Sequence, residues 1–483
     1  MHSPAYKLKL SKAISWLALA PALLVLANCA AVPASKTLTP LKSGDLAATQ
    51  TLADGQGQWP AEDWWKGFND PQLNTLMDEA FANAPNLKAA QARLDKAEAT
   101  LSQVKAGTQA DANLNASVMA TEQSLNMGFP PQFKDFLPQG VLPLGRLTLD
   151  INYDLDLWGK SRDAIKGAIG QAKATQVEGV VVRQNLAVAI ANAYVELNRL
   201  YQTEDELAEL EKGSDIKLQL YQARADHSLD PKDVLLSAHD DAQQVAQRQA
   251  AVQGSIIIQK NLIAALVGAG PDRGASLTRP ALAPVDINKL PTNVPVDLLG
   301  RRPDVVAARL RVEAQGQGIK YAKADFYPNI SLTGSWGREA LGLQYLGSPD
   351  SNFGSVGPAI SLPLFHQSRL NAEYLGYEAD YNAAVAAYDQ TLTTALHETA
   401  DAAASSQSTT AQIAAVAGRR DAAQQTYELT KARWGKGLST KIDVITAHSR
   451  VVSYDSLLTD LQAQAYFDRI KFIAALGGGF KSE

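Results

Sequence analysis

One pattern occurs twice in this chain, in the same order and at a nearly constant offset. Ala92-Arg93-Leu94 stands about 20 residues ahead of a strand opening at Asn113-Leu114, and Ala308-Arg309-Leu310 stands equally far ahead of Asn329-Ile330. Leu155-Asp156-Leu157-Trp158 followed by Ser161-Arg162 is answered by Leu362-Pro363-Leu364-Phe365 followed by Ser368-Arg369, and Asp233-Val234 by Asp443-Val444. Such ordered matches mark a duplicated unit of roughly 210 residues. Each unit holds a short helical region, two alternating strands and a very long helical stretch, a combination that points to a conduit.

Residues 146–158 carry the clearest strand. Leu147, Leu149, Ile151, Tyr153, Leu155 and Leu157 fall on one face, and Thr148, Asp150, Asn152, Asp154 and Asp156 on the other. Alternation of this kind marks a half-buried strand, here long enough to cross a bilayer at a tilt. The same alternation predicts strands over about 113–123, 328–338 and 353–365. The acids and amides of the polar face, with Asp150, Asn152, Asp154 and Asp156 among them, suit a watery lumen. Tyr153, Trp158, Trp336 and Phe365 suit the membrane interfaces. The connections at 122–145 and 338–352 read as external loops.

From Gly159 to about Arg224, and from His366 to about Gly435, no proline interrupts a helical pattern. Each stretch would reach on the order of 100 Å. Leu370, Tyr374, Tyr377, Tyr381, Ala384 and Tyr388 step by fours and threes, as a coiled-coil seam does. Return helices are expected over 230–267 and 440–476, so each half is an antiparallel hairpin with a tip at its turn.

The charge balance, net −5 with both signs interspersed, gives no support to nucleic-acid binding. A single cysteine excludes an internal disulfide framework and a cysteine-based zinc site. No His-x-x-x-His or Glu-x-x-His spacing, nucleophile elbow or P-loop occurs, so no enzyme chemistry, metal site or cofactor is expected. The N-terminus reads as a targeting segment. Lys7, Lys9 and Lys12 precede an apolar run from Ile14 to Ala27, which ends at Leu26-Ala27-Asn28-Cys29. This resembles a bacterial lipobox, with Asn28 where a small residue is usual. Residues 1–28 are thus expected to be a signal peptide, with Cys29 the lipidated mature N-terminus of an extended segment, 29–63. The first repeat then covers 64–285, the second 286–476, and 477–483 form a tail.

Four strands cannot close a barrel, and open strand edges cannot sit in lipid. Two copies would give eight strands, whose interior side chains fill; three copies give twelve and a water-filled lumen. A conducting protein is therefore expected to be a homotrimer.

The chain resembles the bacterial outer membrane factors, the TolC/OprM/NodT-type efflux lipoproteins. The resemblance rests on Trp64-Trp65-Lys66-Gly67-Phe68-Asn69-Asp70-Pro71-Gln72-Leu73, on Leu299-Gly300-Arg301-Arg302-Pro303-Asp304-Val305, on Phe326-Tyr327-Pro328-Asn329-Ile330-Ser331-Leu332 and on Leu362-Pro363-Leu364-Phe365. It covers about 59–476. Asp154-Leu155-Asp156-Leu157-Trp158-Gly159 and Gly477-Gly478-Gly479-Phe480 look most like the MdtP-type subgroup. The resemblance implies a trimeric twelve-stranded outer-membrane barrel continuing into a helical periplasmic tunnel. It implies a periplasmic membrane fusion (adaptor) protein and an inner-membrane efflux pump as partners. It also implies a tip aperture, to which Asp443, Thr446, Asp233 and Trp434 correspond. Thr446 stands where many relatives carry a second acid, and Trp434 where a tyrosine is frequent. The expected function is a passive exit duct for drugs or other small toxic compounds. Protein secretion or metal export through the same duct, and a pore-less periplasmic scaffold, are the competing readings.

Overall fold

The computed structural model describes residues 32–46, 51–52, 57–122, 124, 130–136, 138–284, 291, 294–363 and 365–482. Cys29 and Leu364 lie outside them. In order, the elements are α1 (Pro71–Asn83), α2 (Pro85–Ala106), β1 (Asp111–Glu122), β2 (Val141–Leu155), α3 (Lys160–Asp226) and α4 (Lys232–Leu266). There follow the short α5 (Pro271–Ala275), α6 (Val294–Arg301), α7 (Pro303–Ala324), β3 (Asn329–Leu341), β4 (Asn352–Ser361), α8 (Gln367–Gly435) and α9 (Lys441–Ala475). Long helices and four strands per chain are the architecture that the sequence pattern predicts. Among the described residues no helix is long and apolar enough to cross a membrane.

The chain divides into two compact units. The first comprises Met1–Thr39, Lys96–Ala172 and Leu310–Val385 and contains the sheet. Its strand order is β1-β2-β3-β4, all antiparallel, so β1 and β4 each present an edge that the sheet does not pair. β2 begins earlier than its alternation suggests, because Val141, Leu142 and Pro143 continue the ladder opposite Glu122, Thr121 and Ala120. It also ends earlier. The Asp156 carboxylate accepts from the Ser161 and Arg162 amides at 3.0 and 3.1 Å, which draws it out of the ladder to cap α3. Gly159, at φ 83°, makes the turn between them.

Where strands meet helices, Trp158 stacks on Tyr327 with ring centroids 5.0 Å apart, and its indole N–H donates to the Pro328 carbonyl at 2.8 Å. Phe326, Ala322, Leu370 and Tyr374 form a small core there, with Val32 against it. From Val32 the chain runs along α8: the Lys36 amide donates to Glu378 at 3.2 Å and the Leu38 amide to Asn382 at 2.7 Å.

The second unit comprises Pro40–Asp95, Lys173–Arg309 and Ala386–Glu483. Its main core gathers Leu73, Leu76 and Met77 of α1, Leu186, Ile190, Tyr194 and Leu197 of α3, Ile256 and Ile263 of α4, and Ile470 of α9. The opening motif has a packing role. Trp64, Trp65 and Phe68 are buried in this core, with Trp64 edge-on to both others. Asp70 then caps α1, Oδ1 accepting from the Gln72 amide at 2.8 Å, while Oδ2 accepts from the Tyr194 hydroxyl and the Ala281 amide, both at 2.8 Å.

Candidate functional site

Two places carry the residues that a conduit would use: one face of the sheet, and the turns that join the long helices. On the sheet, the register puts Asp150 opposite Asn113 on one side and Ser335 on the other. The Asp150 carboxylate accepts from Asn115 Nδ2 at 2.8 Å, Thr148 Oγ1 at 3.0 Å and Ser335 Oγ at 2.7 Å. Asn152 lies opposite Asp111 and Thr333, and Asp154 opposite Ser331, with Asn329 Nδ2 donating to it at 3.2 Å. These residues share one polar face, with hydrogen bonds gathered at Asp150 and at Asp154. Leu147, Leu149, Ile151, Tyr153 and Leu155 alternate with them and are exposed on the other. Asp156 lies past the strand end, paired with Arg162 Nε at 3.0 Å.

The first turn, between α3 and α4, is closed by Arg224, whose Nη2 donates to Asp230 at 2.9 Å. That pairing holds the Asp230 carboxyl below its usual range. Ser228 sits there at φ 54°. Asp233 is exposed in the first turn of α4.

The second turn, between α8 and α9, is built differently. Asp443 Oδ2 accepts from the Thr440 amide at 2.8 Å, the Thr440 hydroxyl at 2.8 Å and the Ser439 hydroxyl at 3.0 Å; the Asp443 amide returns a bond to Thr440 Oγ1 at 3.1 Å. This capping box satisfies the free amides of the helix start. The Thr440 amide above all holds the Asp443 carboxyl below its usual range. Thr446 is exposed one turn further along. Trp434 is 42% exposed, with Lys441 Nζ 4.5 Å from its ring centroid. Lys441 is thus directed at Trp434 within its own turn, and the Asp443 charge is met by hydroxyls and an amide.

Two groups in the second unit have partners that the sequence reading did not give. Arg302, 7% exposed, donates to Asp304, to Glu398 at 2.7 Å and to the Ala475 carbonyl at 3.3 Å. Glu206 accepts from Thr459, while its Oε2 is buried with no partner among the described residues, and burial pushes its carboxyl up. The Arg302 motif was visible in the sequence; its partners were not.

Comparison with known proteins identifies the architecture. A family model described as outer membrane efflux protein matches residues 76–269 and 294–478. The chain belongs to the outer membrane efflux protein family. Among similar proteins of this kind, the fusaric acid resistance protein FusA of Burkholderia cepacia is 33% identical over 390 residues, covering 77% of this chain and 70% of that protein. The multidrug resistance outer membrane protein MdtP of Escherichia coli (strain K12) is 28% identical over 432 residues, 88% of each chain. The crystal structure of the outer membrane protein VceC of Vibrio cholerae superposes with a TM-score of 0.79 at 36% identity, over 88% of this chain and 100% of that one. The outer-membrane channel OprN, at 24% identity and a TM-score of 0.78, covers 93% of this chain and 99% of its own and shares the fold. As an outer membrane efflux protein, this chain is an efflux channel of the outer membrane and not an enzyme.

Proposed function

We propose that three copies of this chain close one twelve-stranded barrel and act as the exit duct of a tripartite efflux assembly for small toxic compounds. The observation that carries the reading is the four-stranded sheet with an unpaired edge on β1 and on β4. Unpaired backbone groups are untenable in hydrocarbon, so the edges must meet copies of each other, and three sheets leave room for water. The face holding Asp150, Asn152 and Asp154 then lines the lumen, and the face holding Leu149, Ile151 and Tyr153 meets lipid. Cys29 carries the lipid anchor. Asp443, with Thr446 and Trp434 at its own turn and Asp233 at the other, narrows the periplasmic aperture. A periplasmic adaptor protein and an inner-membrane pump supply docking and energy.

The cargo reading draws support from the names of relatives, one a fusaric acid resistance protein and one a multidrug resistance protein. Purified protein tests the duct: its detergent-solubilised mass should be that of three chains, and it should give discrete conductance steps in planar bilayers. A monodisperse monomer without conductance would sink the reading in favour of a scaffold. Deletion of the gene should sensitise the cell to small organic toxicants; loss of a secreted protein instead would favour the secretion reading.

A further inference from the structure

The polar face of the sheet changes character along its length. β1 and β3 start where helices α2 and α7 have just ended, and β2 and β4 end just ahead of α3 and α8. The other end of the sheet carries the connections 123–140 and 342–351 and is the outer end. The ladders allow that face to be read layer by layer from the helix side outward. Asp154 and Ser331 come first, then Asp111, Asn152 and Thr333, then Asn113, Asp150, Ser335 and Ser355. Further out, Asn115 and Thr148 stand beside Gly337 and Phe353, and Ser117 beside Arg146 and Glu339. The next layer holds Met119, Leu144 and Leu341, and the one beyond it Thr121 and Leu142.

The same face thus passes from acids and amides to an ion pair and then to apolar side chains. Arg146 marks the change. Its Nη1 lies 3.5 Å from Glu339, and its guanidinium stands 5.4 Å from the Phe353 ring centroid, so the cation is held against the wall. Met119, beyond it, is 54% exposed. It is thus an exposed apolar side chain on a face that is polar further in, flanked by the partly buried Leu144 and Leu341 of the same layer.

We propose that Met119, Leu144 and Leu341 from each of three copies form an apolar collar at the outer end of the lumen, which admits amphipathic and aromatic cargo and resists hydrated ions. This rests on the trimeric-duct reading. The physical ground is that a water-filled passage narrowed by apolar side chains dewets, so an ion must shed hydration to cross, whereas a cargo with an apolar face gains contacts there. The acidic layers inward of the collar favour cations, so the two levels together select lipophilic cations among possible solutes.

The test uses full-length protein in cells of a strain lacking general porins, with Asn152→Cys as a reporter inward of the collar. A small thiosulfonate reagent bearing a trimethylammonium group is added outside, and the labelling rate is measured. Adding Met119→Ser and Leu144→Ser should raise that rate roughly tenfold, the change that ~1.4 kcal/mol removed from an entry barrier gives. Leu144→Phe, which keeps the collar apolar and adds bulk, should slow it, and serves alone if the serine variant does not assemble. A rate unchanged by either variant overturns the collar and leaves the duct intact. If instead Ile151→Cys reacts and Asn152→Cys does not, in the detergent-solubilised oligomer, the faces are reversed and the duct reading itself fails.

Discussion

Arg302 Nη1 donates to Glu398 Oε2 at 2.7 Å, joining the start of α7 to the side of α8 within the helical unit. The same guanidinium holds Asp304 and the Ala475 carbonyl near the end of α9. The tail is fastened beside it: Gly477, at φ 91°, lies so close to Arg301 that a side chain there would collide with its carbonyl. Only the guanidinium is buried; Asp304 and Glu398 are partly exposed and would be met by water, so Arg302→Ala should cost about 1–3 kcal/mol. Urea unfolding followed by circular dichroism would measure this, and a change within experimental error would mean that the network is solvated.

The two faces of β2 should respond oppositely to the same substitution. Ile151→Arg places a charge on the face assigned to lipid and should destabilise the protein by about 2–4 kcal/mol near the midplane. Asn152→Arg, its neighbour on the polar face, should assemble and alter conductance. Equal destabilisation at both positions would indicate a sheet packed on both sides.

The Asp443 carboxylate should keep its charge through mild acid. Its folded-state pKa is depressed, chiefly by the Thr440 amide, so the capping contribution is present above the unfolded value and is lost as pH falls through the lower folded one. The unfolded value is roughly 3.9, so protonation belongs below about pH 4. Block of the planar-bilayer current by a trivalent cation should thus persist from pH 7 to about pH 4.5 in the wild type. Asp443→Ala should weaken the block at every pH. Unchanged block in that variant would assign the constriction to other tip residues.

Glu206 has the opposite sign. Burial is the main cause of its raised pKa, reinforced by the Asp460 and Asp455 charges and opposed by the Thr459 and Ser456 hydroxyls. Its protonated form favours the folded state, so stability from this group is complete below the ordinary glutamate value of roughly 4.3 and declines as pH rises through the elevated folded one. Glu206→Gln should raise the temperature at which the oligomer dissociates on gels at pH 7. That gain should vanish near pH 4, roughly the unperturbed range. A gain equal at both pH values would trace the effect to packing.

Cys29→Ser should abolish incorporation of labelled fatty acid while leaving most channel formation, because strand closure does not involve the anchor. Mass spectrometry that found a mature N-terminus beyond Cys29, without acyl mass, would reject the anchor.

Much of this architecture can be read from residue order, because alternation and helical period are local signals. Ile151 and Asn152 declare opposite faces by adjacency alone. The signal fails where local chemistry breaks the period: Pro143 and Gly145 hide the outer third of β2, and with it the level of Leu144. It fails again where function depends on distant partners. Arg302 and Glu398 are 96 positions apart, and Glu206 and Thr459 are 253 apart. Asp443 is legible as a helix-start acid, but that Ser439 and Thr440 occupy one of its oxygens emerges only from the folded turn.

The two helix turns join equivalent pairs of long helices, yet they are fastened by different physics. Arg224 and Asp230 close the first through opposite formal charges at the surface, where attraction fades within about 8 Å at physiological ionic strength. Thr440 and Ser439 close the second through direct hydroxyl and amide bonds to Asp443, which mobile ions do not dilute. Rising ionic strength therefore softens the Arg224–Asp230 turn more than the Asp443 turn. The salt content of the medium would thus set the contrast between the two turns of each chain.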